Sequence, residues 1–532
     1  MTNQDATTVD SAPPSAPAVW RPAFNPWLIA AAVMLATFME VLDTSISAVA
    51  LPHIAGSLSA TTDEATWVLT SYLVSNAIIL PASGWLANYF GRKRFLLGSI
   101  ILFTFSSLLC GSALSLPMLI ASRVIQGATG GALQPMSQAI LLESFPPAKR
   151  GEAMAAFAIG VVVAPILGPT LGGWLTDNYS WRWAYYINLP VGLLAVILIN
   201  LLVEDPPYLR NVRPKKIDGI GFGLMAVGLG TLQILLDKGQ ELDWLASAEI
   251  RWLAGISLVT LIGFIVRELT THEPIVHLNV FANRNFAVGT FLVTMIGVIL
   301  YSAITLQPLY LQTMMGYPAL AAGWAVSPRG LGALLAMPVV GVLTSRLDMR
   351  KMIGVGFILF TLSMYMLGDI NLQITAWSIG WPTFWTGVGM GCAFVPLATI
   401  TMGDLPEKEM GNAAGLFNLQ RNIGGSIGIS ITTTLLAREA QSYQAAMAGK
   451  LDPASMNLVT RLHALAHAFE GHFNAVEALR RSQATIYGHL LQQSMLKAYV
   501  HDFRLLAVIS LVCLLCVFFL KRVKPGRRPA VH

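Results

Sequence analysis

Glu40 and Asp43 lie in MEVLDTSISAVALP, residues 39–52, within an apolar run that begins near Trp27. They are three residues apart, so a helix carries both on one face. A carboxylate at mid-bilayer costs at least about 2.5–3.5 kcal/mol on insertion scales. Such a face must turn toward protein or a water-filled cavity, where a carboxylate can load and release a proton. Arg123 and Arg421 stand in similar apolar runs, and an intramembrane arginine likewise needs a partner or a cavity. At about 1.5 Å per residue along a helix, Asp43 and Arg123 reach similar depths, with Glu40 one turn deeper. Arg123 is therefore expected to pair with Asp43, or with Glu40. The pair is either a static orienting contact or the setting of a proton-carrying carboxylate; Asp43 is the expected carrier, and Glu40 the lesser candidate, as an auxiliary carboxylate or a contact for cationic substrates. Asn76 and Gln126 add polar atoms at nearby depths. Asn418, Gln420 and Arg421 fall together in the run 411–436, and Tyr301 stands among aromatic and Met-rich runs that could line a greasy cavity.

The elements that must hold these groups are long apolar blocks. The chain has 532 residues, of which 55% are hydrophobic and only 12% charged. A soluble chain carries about 25% charged residues. The blocks are about twenty residues long, enough to cross a hydrocarbon core of about 30 Å. The expectation is an all-α polytopic membrane protein with fourteen spans. A β-barrel would show short alternating segments instead. The net charge of +6 is no nucleic-acid signature, because the basic residues sit in short loops. Arg92–Arg94, Lys149–Arg150, Arg210–Lys216, Arg346–Lys351 and Lys521–Arg528 all fall on one side. The positive-inside rule puts that side, and both termini, in the cytoplasm.

The run 152–174 contains APILGPTLGG, with Gly168, Pro169, Gly172 and Gly173. Small residues at four-residue spacing allow close helix packing, and the proline invites a bend. One helix with both properties suits a hinge or seal. The chain also repeats. Trp67, Gly84 and the basic GRKR recur as Trp324, Gly341 and the basic residues 350–351, with the tryptophans and the glycines each offset by 257 residues. Parallel repeats of this kind build many transporters. The expected plan is a polar, disordered cytoplasmic tail over 1–26, a six-helix bundle over 27–203, two inserted spans within 204–284, a second six-helix bundle over 285–521, and a basic cytoplasmic tail over 522–532. Residues 438–502 form a long outer loop, expected as short amphipathic helices, before a last span at 503–521. Leu462, Leu465, Phe469 and Phe473 make a helical stripe in it. His463 and His467 read as a solvated face rather than metal ligands, and Cys513 and Cys516 as small buried residues; no metal or cofactor is expected.

Five stretches together resemble one family: LDTSISAVALP (42–52), GWLANYFGRKR (84–94), RVIQGATGGAL (123–133), APILGPTLGG (164–173) and WRWAYYINLPVG (181–192). They are similar to the motif series of the fourteen-span drug:proton antiporter branch of the major facilitator superfamily, and among these to the EmrB-type exporters. FVPLATITMGDLP (394–406) and the 411–425 motif extend the resemblance over nearly the whole chain. It implies proton-driven efflux of hydrophobic or amphipathic compounds from the bacterial inner membrane. It further implies a periplasmic adaptor and, through it, an outer-membrane channel. By position, Asp43 matches the acidic residue of the first span and Arg123 the arginine of the fourth. Gly168, Pro169, Gly172 and Gly173 match the antiporter motif, and Gly84, Asn88, Gly91 and Arg92 the cytoplasmic loop motif. Asn88 stands where the family usually has Asp, so a charge-based latch is not expected there, and Ala164 replaces the first small glycine of the span-five motif. The alternative is a proton-coupled transporter of one metabolite or fatty acid acting without partners. A membrane enzyme is disfavoured, because no HExxH, GxSxG or phosphate loop is present.

Overall fold

The computed structural model describes residues 22–205, 218–272, 274–406, 409–450, 455–470 and 472–522. The expected terminal tails lie almost wholly outside the described residues, as do Arg210, Arg213, Lys215 and Lys216. In chain order the helices are α1 (Pro26–Ser57), α2 (Thr62–Phe90), α3 (Arg92–Gly111), α4 (Leu116–Gly130), α5 (Leu133–Ser144), α6 (Arg150–Asn178), α7 (Trp183–Tyr186) and α8 (Asn188–Leu202). Then come α9 (Gly219–Lys238) and α10 (Ala248–Thr270). The remainder is α11 (Arg284–Thr313), α12 (Ala319–Val326), α13 (Pro328–Leu343), α14 (Met349–Leu367), α15 (Ala376–Gly403), α16 (Met410–Ala448), α17 (Met456–Glu470) and α18 (Ala475–Cys516).

Local chemistry fixes the helix starts. Asn25 caps α1 ahead of Pro26, which needs no hydrogen-bond acceptor at the first turn. Thr61 and Glu64 form a reciprocal capping box on α2. Gly91 joins α2 to α3 with φ +86°, a conformation that favours glycine. Among the described residues, twelve helical segments are long and apolar enough to cross a membrane. The other two expected spans are the α4–α5 pair, interrupted after Gly130, and α16, whose asparagines, glutamine and arginine lower its hydropathy. The chain is a multi-pass membrane protein, all-helical with twelve candidate spans among the described residues.

Helices α1–α8 pack as one bundle and α11–α18 as another. The bundles meet where α2 crosses α16 and where α6 crosses α13. Gly84 and Gly341, the glycines of the sequence repeat, each sit at one of these crossings. A Cβ on Gly84 would stand 2.7 Å from the Gly411 carbonyl carbon; one on Gly341 would stand 2.7 Å from the Ala155 Cβ. Both contacts lie at the end that carries Arg92, Arg150 and Arg346, so that end is closed. The inserted pair packs against itself, and α9 also touches both bundles. Thr70 on α2 donates to Asp237, and Lys238 Nζ donates to Thr66 Oγ1 at 2.6 Å. Gln233 Nε2 donates to Ser426 Oγ on α16 at 2.9 Å.

The region 438–502 departs from expectation. It is not a separate cap of short helices. Helix α16 runs unbroken to Ala448, and α18 starts at Ala475 and continues through the last span. Neither stretch contains a proline to stop it. Only α17 is separate. Its Ala466 is buried and Leu462, Leu465 and Phe469 half-buried where it packs along α18, so most of the expected stripe is covered within the chain. His463 and His467 are exposed.

Candidate functional site

Two polar networks lie inside the bundles, each built on one carboxylate of α1. Asp43 is fully buried and faces α4. Arg123 Nη1 donates to its Oδ2 at 2.6 Å. Gln126 Nε2 and Asn188 Nδ2 donate to its Oδ1 at 2.9 and 2.7 Å. Arg123 also donates through Nε to the Val68 carbonyl at 3.0 Å and lies 4.3 Å from the centre of the Tyr72 ring. Ser107 Oγ accepts from Asn188 Nδ2 at 2.9 Å and from Gln126 Nε2 at 3.2 Å. Asp43 is therefore held by one cation and two amides. Protonating it would leave a buried guanidinium without its counter-charge, and breaking such a pair costs about 3–5 kcal/mol.

Glu40, one turn deeper, has no ion-pair partner within hydrogen-bonding distance among the described residues. Its Oε1 accepts from Tyr72 Oη at 3.2 Å and Asn76 Nδ2 at 3.3 Å. Its Oε2 accepts from Gln134 Nε2 at 2.5 Å. The other end of that amide, Gln134 Oε1, accepts from Arg421 Nη2 of the opposite bundle. One neutral amide thus spans the gap between a carboxylate of the first bundle and a guanidinium of the second. Asn418, one helical turn before Arg421, reinforces the crossing by donating to Gln138 Oε1 at 2.7 Å. Arg421 also stands over the Phe394 ring, with 5.8 Å to its centroid.

The sequence expectation thus divides. Asp43 pairs with Arg123, and Gln126 joins them. Asn76, Arg421 and Asn418 gather around Glu40 or its relay. Gln420 and Tyr301 do not join either network. Gln420 Oε1 accepts from Thr294 Oγ1 at 3.2 Å, and the Tyr301 ring packs on Gly425. Gln134, Gln138, Asn188, Ser107 and Tyr72 were not anticipated. Gln134 and Gln138 carried a signal, since two amides in an apolar span need partners as an arginine does.

The glycine motif of α6 packs on α1. A Cβ on Gly168 would collide with the Ser45 side chain, and one on Gly172 would stand 3.1 Å from Ile46 Cγ2. Gly173 has nothing within 4 Å. The helix is continuous across the motif; the Pro169 side chain lies outside the described ones. In the loop motif, Arg92 forms a buried ion pair with Glu143, Asn88 is half-buried on α2, and Lys93 N donates to Asp205 Oδ1 at 2.8 Å beside Gly91.

The model of the Major Facilitator Superfamily matches residues 33–429. The Multidrug export protein EmrB of Escherichia coli (strain K12) is 39% identical over 463 residues, covering 87% of this chain and 88% of that protein. The Multidrug export protein EmrB of Haemophilus influenzae is 43% identical over 407 residues, 76% and 79% of the two chains. The Fatty acid resistance protein FarB of Neisseria gonorrhoeae is 40% identical over 427 residues, 80% and 83%. Among solved structures, a double-tryptophan mutant of XylE aligns with TM-score 0.62 at 12% identity, covering 94% of this chain and 97% of that one. The human organic anion transporter MFSD10 aligns with TM-score 0.59 at 12% identity, covering 93% and 100%. At that identity the two structures speak for the fold, a pair of helical bundles. With its duplicated bundles, its crossing glycines and its paired intramembrane charges, the chain belongs to the Major Facilitator Superfamily, on the branch of the EmrB proteins.

Proposed function

We propose that the protein is a proton-coupled antiporter that exports hydrophobic or amphipathic compounds across a bacterial inner membrane, with both termini cytoplasmic. The observation that carries this reading is the Glu40–Gln134–Arg421 relay. It ties a carboxylate that has only neutral donors to the opposite bundle. A proton on Glu40 removes the charge that Gln134 serves and weakens its pull on Arg421. The bundles are then freer to rock, which exchanges access between the two sides. Asp43 and Arg123 act as the fixed pair that shapes the pocket. The glycines of α6 serve as a close-packed hinge against α1. Asn76, Asn418 and Arg421 contact the compound or the proton path. The test is efflux from proteoliposomes under an imposed pH gradient, across a panel of lipophilic compounds. Wild-type rates in Glu40→Gln would overturn the assignment of Glu40.

The protein further serves as the inner-membrane part of a tripartite system with a periplasmic adaptor and an outer-membrane channel. Support comes from the helices that project past the bundle. With the α17 stripe covered, the face left for a partner is on α18, where Val476, Leu479, Tyr487 and Leu491 are exposed. A narrower reading, transport of a single acidic lipid or metabolite, draws on the 40% identity to FarB. Competition among chemically unlike compounds for one efflux path separates the two.

A further inference from the structure

Arg329 is the second residue of α13, in the half of the second bundle that lies away from the closed end. It is half-buried, and a Cβ on Gly387 of α15 would collide with its carbonyl oxygen, so close packing fixes its backbone. Its Nη2 donates to Gln307 Oε1, near the end of α11. Its Nε is buried without a partner. Among the described residues no carboxylate lies within ion-pair distance of it. The other arginines inside the bundles are better served. Arg123 has Asp43, Arg92 has Glu143, and Arg421 reaches Glu40 through Gln134. The step from arginine to glutamine recurs at Arg329, but there it ends without an acid. Gln307 is only 1% exposed, and its Nε2 has no partner. A guanidinium can only donate, so Gln307 must turn its carbonyl to Arg329 and its amide hydrogens elsewhere. An unpaired charge and an unpaired amide inside a membrane span are both costly, and together they mark a site that lacks an acceptor.

We infer that Arg329 and Gln307 bind the carboxylate of an amphipathic acid carried by the protein. The inference rests on the export reading and adds to it a site for one class of compound. Arg329 Nε and Gln307 Nε2 are two donors without acceptors. A carboxylate has two oxygens, one for each, and brings the negative charge that Arg329 lacks. A small inorganic anion would bring the charge too, but nothing repays its loss of water in an apolar span. A compound with an apolar body is repaid by burial of that body. Phe384 and Trp385, one turn before Gly387, are half-buried with ring centres 5.6 Å apart, and give apolar surface on the helix that packs against Arg329. A neutral compound of the same shape gains nothing from the guanidinium. Recognition of the acid then belongs to the second bundle, and the carboxylates of α1 belong to the first.

The test is equilibrium binding of radiolabelled dodecanoate to the purified full-length protein in phosphatidylcholine nanodiscs, with no pH gradient and with empty nanodiscs subtracted. Arg329→Gln removes an unpaired charge and is expected to weaken dodecanoate binding by at least about tenfold. Arg329→Lys keeps the charge but loses the planar fork, so its affinity should fall between the two. Gln307→Leu should weaken binding by about threefold or more. Binding of dodecanol, the neutral counterpart, should be the same in all four proteins. Unchanged dodecanoate affinity in Arg329→Gln would overturn the inference, and so would an equal loss of dodecanol. Displacement of dodecanoate by a short-chain phosphatidylglycerol, at lower concentration than by unlabelled dodecanoate, would also overturn it by giving the site to a lipid headgroup. If Arg329→Gln fails to fold, Gln307→Leu carries the same comparison of acid with alcohol. Glu40→Gln, which tests the export reading through pH-driven efflux, should bind dodecanoate as the wild type does, so each reading can fail without the other.

Discussion

At the scale of single residues, the two carboxylates of α1 differ in their partners. Asp43 sits in a closed circuit of one guanidinium and two amides. Asp43→Asn is therefore expected to destabilise the protein by about 3–5 kcal/mol, as a buried pair broken on one side does. A lowered melting temperature in detergent checks this, and a variant as stable as the wild type would show that Arg123 finds another partner. Glu40→Gln keeps a carbonyl to accept from Gln134, so it should fold normally while losing pH-driven efflux by at least about tenfold. That Glu40, Asp43 and Arg123 must find partners was legible in the sequence, because charged residues in an apolar run announce themselves by their insertion cost. Gln134, Gln138 and Asn188 carry a weaker signal, because amides cost less to insert and resemble tolerated polar residues. Which acid meets which arginine also escaped the sequence. Glu40 and Asp43 differ in depth by a single turn, and only the packing of α5 against α16 directs Glu40 toward Arg421.

At the scale of elements, helix α6 makes a graded prediction. Alanine at Gly168 collides with Ser45, at Gly172 it presses on Ile46 more tightly than ordinary van der Waals contact, and at Gly173 it meets open space. Transport should fall in that order, with Gly168→Ala the most impaired and Gly173→Ala close to wild type. Equal rates for all three, measured in the same proteoliposomes, would return the motif to ordinary packing. Most of the spans were legible, since apolar length marks them and the basic loops set their direction. The outer segment is continuous with α16 and α18 rather than a set of separate short helices, because its polarity marks the end of a span but not the end of a helix. Only a proline, a glycine turn or a cap ends a helix, and the residues of α16 and α18 beyond the bundle carry no such stop. If the α18 face docks an adaptor, changing Val476, Leu479, Tyr487 and Leu491 to serine should abolish adaptor co-purification while transport into proteoliposomes persists. Undiminished capture of the adaptor would remove this face from the interface.

For the whole molecule, the sequence repeat becomes the pair of glycine crossings that close one end, with Gly84 of α2 against α16 and Gly341 of α13 against α6. Valine at Gly84 should prevent that closure, because its Cβ alone would overlap the backbone of Gly411 and Asn412. Cysteines placed on α2 and α16 at the closed end should then crosslink in the parent protein and fail to do so with Gly84→Val. The inserted helices were legible as two extra spans, but their attachment was not. The bridge from Asp237 and Lys238 to α2, and from Gln233 to α16, depends on polar pairs far apart in the chain. The central claim is that the relay from Glu40 through Gln134 to Arg421 exchanges a proton for the transported compound. The most direct test is proton release from the purified protein in weakly buffered solution when a transported lipophilic compound is added. The wild type should release protons on binding, and Glu40→Gln should bind the compound without releasing them. Proton release from Glu40→Gln equal to that of the wild type would contradict the account.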